Sequence, residues 1–390
     1  MQTRLHLTCC LLALSLLAAL APTPLRAQTT LNGTIRHGGL VREYRLYVPA
    51  RYAQTTARVP LLFNLHGYSS NNLQQELYGD FRAIADTANF LVVHPNGTVD
   101  LAGNRGWNTF GARGSGVDDV AFLSALIDTL ALNYRIDADR IYSTGMSNGG
   151  FMSYELACQL SNRVAAIASV TGSMTAGRLT GCTSGRPVPV LEIHGTADNT
   201  VPYTGGTSLQ FVAIPTLLDA WVQRNGCNPT PLVTPVPDIN TADGCTAERS
   251  LWTGGRNGSV VEHYRIIGGG HTWPGAPVNT GVTNRDISAS REIWRFLRPF
   301  RLSRLSLSAA PAAARRLLVA APNPTTEELS IGGQPGRLTV RDALGRPLGP
   351  AVAVPASGLR LNTRSWQAGL YLLTLETIDG QQLQQKVVKQ

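Results

Sequence analysis

Three residues of this chain could share one reaction. Ser147 lies between Gly145 and Gly149 in a G-x-S-x-G pattern, Asp198 closes the H-G-T-A-D run opened by His194, and His271 follows Gly268, Gly269 and Gly270. A serine hydroxyl is too weakly acidic to attack an ester unaided, so a histidine must remove its proton during attack. A carboxylate on the other ring nitrogen fixes the tautomer and stabilises the imidazolium. His271 is the candidate base, because its Gly-rich turn lets the ring approach the serine. Asp198 is the candidate acid, although capping the turn before Val201 would also account for it. The glycines around Ser147 would equally suit a plain tight turn.

An attacked carbonyl also needs two donors for its developing negative charge. The Asn148 N–H, next after the nucleophile and opening a helix, supplies one. The loop after the apolar run Val59 to His66 supplies the other, from Tyr68 or its neighbour Gly67. Trp107, Tyr203 and Trp273 are candidate substrate-binding aromatics, as is Trp252. Trp273 has the strongest case, two residues beyond His271 and just before Pro274. His66 and His194, each before a glycine at a strand end, read as loop-orienting residues, and His263 as structural.

These residues must be carried by elements that end near one another. Apolar runs at Val59 to His66, Phe90 to His94, Arg140 to Thr144, Ala165 to Val170, Val188 to His194 and Val260 to Ile267 read as strands. Leu40 to Pro49 alternates like a half-exposed strand. Helical spacing marks Asp80 to Asn89, Gly116 to Tyr134, Asn148 to Leu160, Leu209 to Arg224 and Ser288 to Phe300. Strand–helix alternation predicts a mostly parallel, doubly wound α/β sheet. Ser147, Asp198 and His271 then fall just past strand C-terminal ends, where such sheets place their sites. The order serine, acid, histidine is that of the α/β-hydrolase fold.

At 390 residues, two domains are expected. Residues 1–27 read as a secretory signal peptide, with Arg4, the apolar stretch Leu7 to Leu20 and a cleavage site after Ala27. That stretch is too short to span a membrane, which takes about 20 residues, so no transmembrane segment is expected after cleavage. The net charge of +9 comes from dispersed arginines without basic runs, which argues against nucleic-acid binding. Cys158, Cys182, Cys227 and Cys245 remain after cleavage, and sequence-local disulfides, Cys158–Cys182 and Cys227–Cys245, are expected. No C-x-x-C or H-E-x-x-H motif points to a metal, and no cofactor is implied.

The catalytic domain is expected over residues 28–301 and a Ser/Ala/Leu/Arg-rich linker over 302–318. Residues 319–390 should form a small β-sandwich, from short strands near Leu329 to Ile331, Arg337 to Asp342, Leu359 to Leu361, Tyr371 to Thr377 and Gln382 to Val388.

Several motifs extend this reading: N-L-H-G at 64–67, G-W-N at 106–108, V-D-D-V at 117–120, G-M-S-N-G-G at 145–150, H-G-T-A-D at 194–198 with V-P-Y at 201–203, and G-H-T-W-P-G at 270–275. Over residues 32 to 300 the chain resembles the polyhydroxybutyrate depolymerase and feruloyl esterase group of carbohydrate esterase family 1 type. The resemblance implies Ser147, Asp198 and His271 as the triad of a secreted, metal-independent serine esterase working through an acyl-enzyme. It leaves open polyhydroxybutyrate-type polyesters, feruloyl esters and acetyl esters of plant polysaccharides. Tyr68 departs from the cysteine or glycine of many relatives, which would narrow the cleft beside the acyl group. In the tail, A-P-N-P at 321–324, D-A-L-G at 342–345, G-L-Y at 369–371 and K-V-V-K at 386–389 resemble the sorting domain of type IX secretion substrates. That likeness implies the type IX secretion machinery as a partner, and an extracellular or cell-surface location. A silent binding protein on the hydrolase fold, a peptidase of that fold and a polymer-binding tail remain as alternatives.

Overall fold

The computed structural model describes residues 28–110, 116–206, 208–278, 280–303, 318–332, 335–343, 345–378 and 382–390. The expected signal peptide and most of the expected linker lie outside the described residues. Two compact units divide between residues 309 and 310.

In the first unit ten strands form one sheet. In chain order they are β1 (Thr29–His37), β2 (Leu40–Val48), β3 (Val59–Leu65), β4 (Leu91–Pro95), β7 (Ile136–Met146), β8 (Ala166–Val170), β9 (Val190–Gly195), β10 (Leu232–Pro235), β11 (Thr246–Trp252) and β12 (Val261–Ile267). A separate short ribbon pairs β5 (Thr98–Val99) with β6 (Arg105–Gly106). The spatial order is β1-β2-β4-β3-β7-β8-β9-β12-β11-β10. Pairing is parallel from β4 through β12 and antiparallel at both margins.

The helices are α1 (Asn72–Tyr78), α2 (Arg82–Ala88), α3 (Asp119–Asn133), α4 (Asn148–Gln159), α5 (Ala176–Thr180), α6 (Ile214–Asn225) and α7 (Ala289–Leu297). They cover both faces of the sheet, so β3, β4, β8 and β9 are buried along their whole length. This is why those strands read as continuous apolar runs rather than alternating ones. One core packs Leu61, Phe63 and Ile141 against α3, α4 and α6. The opposite core packs Leu62, Tyr142 and Ala168 against α2 and α7. The side-chain alternation of the strands separates the two. The expected central strands are all present; β1, β10 and β11, at the margins, were not foreseen.

The first unit extends slightly past the boundary expected at residue 301 for the catalytic domain. Leu302 packs against the second core, and the Ser303 N–H and hydroxyl both donate to Asp139.

The second unit is a β-sandwich. One sheet joins β13 (Val319–Ala321), β14 (Glu328–Gly332) and β17 (Leu359–Asn362); the other joins β15 (Gly336–Asp342), β16 (Val352–Val354), β18 (Gly369–Thr377) and β19 (Gln382–Lys389). Leu329 and Ile331 of the first sheet share a core with Leu338, Leu373, Leu375 and Val387 of the second. That shared core makes the two sheets one sandwich.

Cys158 and Cys182 form a disulfide that ties the end of α4 to the segment after α5. The expected Cys227–Cys245 bridge is absent, and both thiols are free and buried. Cys227 belongs to the core on one face of the sheet and Cys245 to the core on the other. Their closeness in sequence spans the sheet, and a disulfide cannot reach across it.

Candidate active site

Strand β7 runs directly into helix α4, and Ser147 is the residue between them. Its backbone sits at φ 54°, ψ −121°, a conformation that non-glycine residues rarely adopt and that costs of order 1–3 kcal/mol. The turn is held by the Ser147 N–H donating to the Val170 carbonyl at 2.8 Å and by the Phe151 N–H donating to the Ser147 carbonyl at 3.0 Å. Gly145 and Gly149 are required by contact rather than by dihedral angle. A Cβ on Gly145 would lie 2.5 Å from the Gly149 carbonyl carbon and 2.7 Å from the Leu65 carbonyl oxygen. A Cβ on Gly149 would collide with Leu65 as well. The G-x-S-x-G pattern is thus what lets α4 and the loop after β3 approach the serine.

Asp198 follows β9 and His271 follows β12. His271 Nδ1 donates to Asp198 Oδ2 at 2.7 Å. Asp198 Oδ1 accepts the N–H groups of Thr200 and Val201, both at 2.8 Å. Burial pushes the Asp198 carboxyl up, but its hydrogen bonds with His194 and His271 outweigh this and hold it well below the usual carboxylate range. It is therefore a buried anion at neutral pH, able to orient an imidazole and to stabilise its charge. His271 keeps part of its ring exposed and lines one cleft together with Ser147.

The loop after β3 approaches the serine from the other side. A Cβ on Gly67 would be 3.5 Å from that of Ser147, and Gly67 and Tyr68 both line the cleft. The Asn148 N–H opens α4, among the first helical donors that have no intrahelical acceptor. His66, read from the sequence as loop-orienting, and Trp107, read as a substrate-binding aromatic, both serve this loop. His66 Nε2 accepts the Gly97 N–H at 2.9 Å, so its proton is on Nδ1, which donates to the Gly67 carbonyl at 2.7 Å. Burial lowers the His66 pKa to about 4, which keeps the ring neutral. Trp107 Nε1 donates to the His66 carbonyl at 2.9 Å, and the Asn148 side-chain oxygen accepts the Trp107 N–H at 2.6 Å. The V-D-D-V segment anchors the same loop: Asp119 accepts the Asn108 N–H and pairs with buried Arg42, each at 2.8 Å or less.

None of the four expected substrate-binding aromatics lines the cleft. Trp107 is 2% exposed and braces the loop after β3. Trp273 is 1% exposed, packed edge-on against Phe81, with its Nε1 donating to Ser290. Adjacency to His271 brought its backbone near the site, while the ring turned into the core. Tyr203 packs on His263 and His194, its hydroxyl 3.1 Å from His263 Nε2. Trp252 is likewise core, its Nε1 donating to the Pro229 carbonyl.

Two pockets meet at Ser147 instead. The first, about 620 Å³, contains His271 and is edged by Ser70, Gln74, Tyr78 and Thr280. The second, about 340 Å³, contains Asn148 but not His271, and is walled by Phe110, Phe151, Val201, Leu209 and Phe211. The three phenylalanine rings pack on one another with centroids 5.0 to 5.8 Å apart. Tyr68, Ser147 and Thr200 border both pockets. Nothing in the periodicity singled out these phenylalanines, because loops and α4 bring them together from distant positions. Among the described residues no group of three or more His, Cys, Asp or Glu stands where it could hold a metal ion.

A mostly parallel, doubly wound sheet with a strained serine at a strand-to-helix turn, and an acid and a histidine after later strands, defines an α/β-hydrolase. Residues 42–186 match the Esterase PHB depolymerase family model. The chain is 33% identical over 233 residues to the probable feruloyl esterase C of Aspergillus clavatus, which covers 55% of this chain and 75% of that one. The feruloyl esterase C of Emericella nidulans is 30% identical, over 63% of this chain and 86% of its own. Similarity to the bifunctional acetylxylan esterase/xylanase of Neocallimastix patriciarum is 32% over 174 residues, and this chain spans only 24% of that larger protein. An acetyl xylan esterase structure from Aspergillus awamori superposes with a TM-score of 0.46 at 14% identity, over 62% of this chain and 94% of that one. The chain belongs to the polyhydroxybutyrate depolymerase and feruloyl esterase group of carboxylic ester hydrolases.

Proposed function

We propose that this protein is an exported serine esterase that cleaves aromatic acyl esters of a hydroxylated, saccharide-like alcohol through an acyl-enzyme. Ser147 is the nucleophile, His271 the general base and then acid, Asp198 its partner, and the Asn148 and Tyr68 N–H groups the oxyanion donors. The observation that carries the substrate assignment is the division of the cleft at Ser147. The base that takes the serine proton must return it to the departing alkoxide, so the alcohol leaves on the side where His271 stands. The acyl group then occupies the opposite pocket, beyond Asn148. A wall of three phenylalanines suits a flat aromatic acyl group, whereas an acetyl or hydroxybutyryl group would leave much of that volume unfilled. The hydroxyl and amide groups of Ser70, Gln74 and Thr280 suit a sugar on the alcohol side.

A substrate panel tests this. Feruloyl esters should be cleaved with kcat/KM at least about tenfold above matched acetyl esters, an increment of about 1.4 kcal/mol or more. Phe211→Ala should erase most of that preference while leaving acetyl turnover within about threefold, since only the larger acyl group uses the ring. Faster cleavage of acetyl esters or of polyhydroxybutyrate by the unmodified enzyme would overturn the aromatic assignment.

The sorting role of the second unit is part of the same proposal. The triad and both pockets belong to the first unit, so a chain ending after Ser303 should keep full turnover on soluble esters. It should also fail to leave the producing cell. Normal export of the truncated chain, with weakened adsorption to an insoluble polymer, would identify a substrate-binding module instead.

A further inference from the structure

Behind Asp198 lies a run of buried polar side chains that the proposed chemistry does not use. Glu192 and His194 occupy alternate positions of β9 and so share one face of the strand; their side chains are fully buried. Tyr154, from the helix that Ser147 begins, donates its hydroxyl to Glu192 Oε2 at 2.8 Å. Glu192 Oε1 is 3.0 Å from His194 Nδ1. His194 Nε2 is 2.8 Å from the Val201 carbonyl oxygen and 3.4 Å from Asp198 Oδ2. A carbonyl cannot donate, so His194 Nε2 carries a proton, and the contact between Nδ1 and Glu192 holds another. The chain therefore runs from the nucleophile's helix to His194, and a 3.4 Å ion-pair contact takes it on to the carboxylate that holds His271.

We propose that Glu192 and His194 are positioning residues, a buried carboxylate–imidazolium pair that pins Asp198 and draws part of its charge away from His271. The inference rests on Asp198 and His271 acting as proposed above. Two acceptors face the two ring nitrogens of His194, which is the arrangement that favours an imidazolium. Burial opposes that charge, but the hydrogen bonds with Asp198 and Glu192 outweigh it and raise the His194 pKa to about 9. Burial also raises Glu192, against the opposing contacts of His194 and Tyr154.

The other groups facing this ring leave it as the local cation. Tyr203 lies edge-on, with centroids 6.0 Å apart. His263 donates Nδ1–H to the Glu192 carbonyl, and burial lowers its pKa to about 3, so it is neutral. Arg265 lies beyond Tyr203, with its guanidinium carbon 5.9 Å from that ring. A positive charge beside Asp198 offsets part of the negative charge that faces the base. Loss of that positive charge must move the acid limb of kcat/KM upward.

The test combines ring-nitrogen NMR with kinetics on the full chain. At pH 8 the unmodified enzyme should show one histidine with two exchange-protected ring N–H groups and imidazolium nitrogen shifts. His66 and His263 each have a single such proton by their hydrogen bonds. The signals should vanish in His194→Gln and shift in Tyr154→Phe, which removes only the hydroxyl donated to Glu192. His194→Gln should lower kcat about tenfold or more with KM within about twofold, and move the acid limb up by about half a pH unit or more. A merely structural role would lower activity equally at every pH. Absence of the imidazolium signals overturns the proposal, as does a folded His194→Gln enzyme whose acid limb stays in place. Should that variant not fold, the unmodified enzyme and Tyr154→Phe decide the matter. Activity persisting in Ser147→Ala would instead defeat the triad reading, leaving the state of His194 to be judged by its own signals.

Discussion

Ser147→Ala is expected to reduce kcat on any ester by about 10⁴-fold or more, leaving only what the proposed oxyanion donors and binding contribute. The fold should survive, because the hydroxyl makes no hydrogen bond that caps α4. The turn depends on the Ser147 backbone, which bonds to Val170 and Phe151 irrespective of the side chain. Melting temperature and disulfide content should therefore match the unmodified protein. Turnover above a few per cent in the purified, folded variant would remove Ser147 from the reaction.

Asp198→Asn should be nearly as damaging, and for a reason that separates catalysis from turn capping. Asp198 Oδ1 accepts two backbone N–H groups, from Thr200 and Val201. Only the carbonyl oxygen of an asparagine can replace it there, which forces the new NH₂ group toward His271 Nδ1. The imidazole must then accept at Nδ1 and carry its proton on Nε2, the nitrogen needed to take the serine proton. The NH₂ group would also face the Nε2–H of His194 as a second donor. A fall in kcat of about 10⁴-fold is expected from the wrong tautomer alone. The turn keeps its cap in this variant, so a residue that served only the turn would leave turnover within tenfold of the original. Steady-state kinetics at saturating substrate distinguish the two.

The parts of the site that were legible in the sequence are those made by local geometry. Gly145, Ser147 and Gly149 announce the elbow because the close approach of Leu65 leaves no room for a Cβ. The central strands were legible because burial on both faces demands unbroken apolar runs. The marginal strands β1 and β11 carry polar and charged residues and β10 is exposed throughout, and their pairing partners lie at margins that periodicity does not reveal.

The aromatic assignments failed for a different reason. Trp273 lies two residues beyond His271, yet a ring that close in sequence can still turn into the core, and Trp107 joins the site only through the fold, 41 positions from both His66 and Asn148. Their hydrogen bonds to the His66 carbonyl and Ser290 show which way each turned. Cys227 and Cys245 likewise looked like neighbours until the sheet came between them. Glu192 was hidden within the apolar run of β9, where only three-dimensional packing brings Tyr154 and His194 to its two oxygens.

The most direct test of the account is to trap the acyl-enzyme. Rapid acid quench of the enzyme turning over a feruloyl ester, followed by intact mass and peptide mapping, should find one feruloyl group per chain on the peptide containing Ser147. The same experiment with Ser147→Ala should find none. A feruloyl adduct on any other residue, or full turnover with no adduct under quench conditions shown to preserve serine esters, would contradict the central claim.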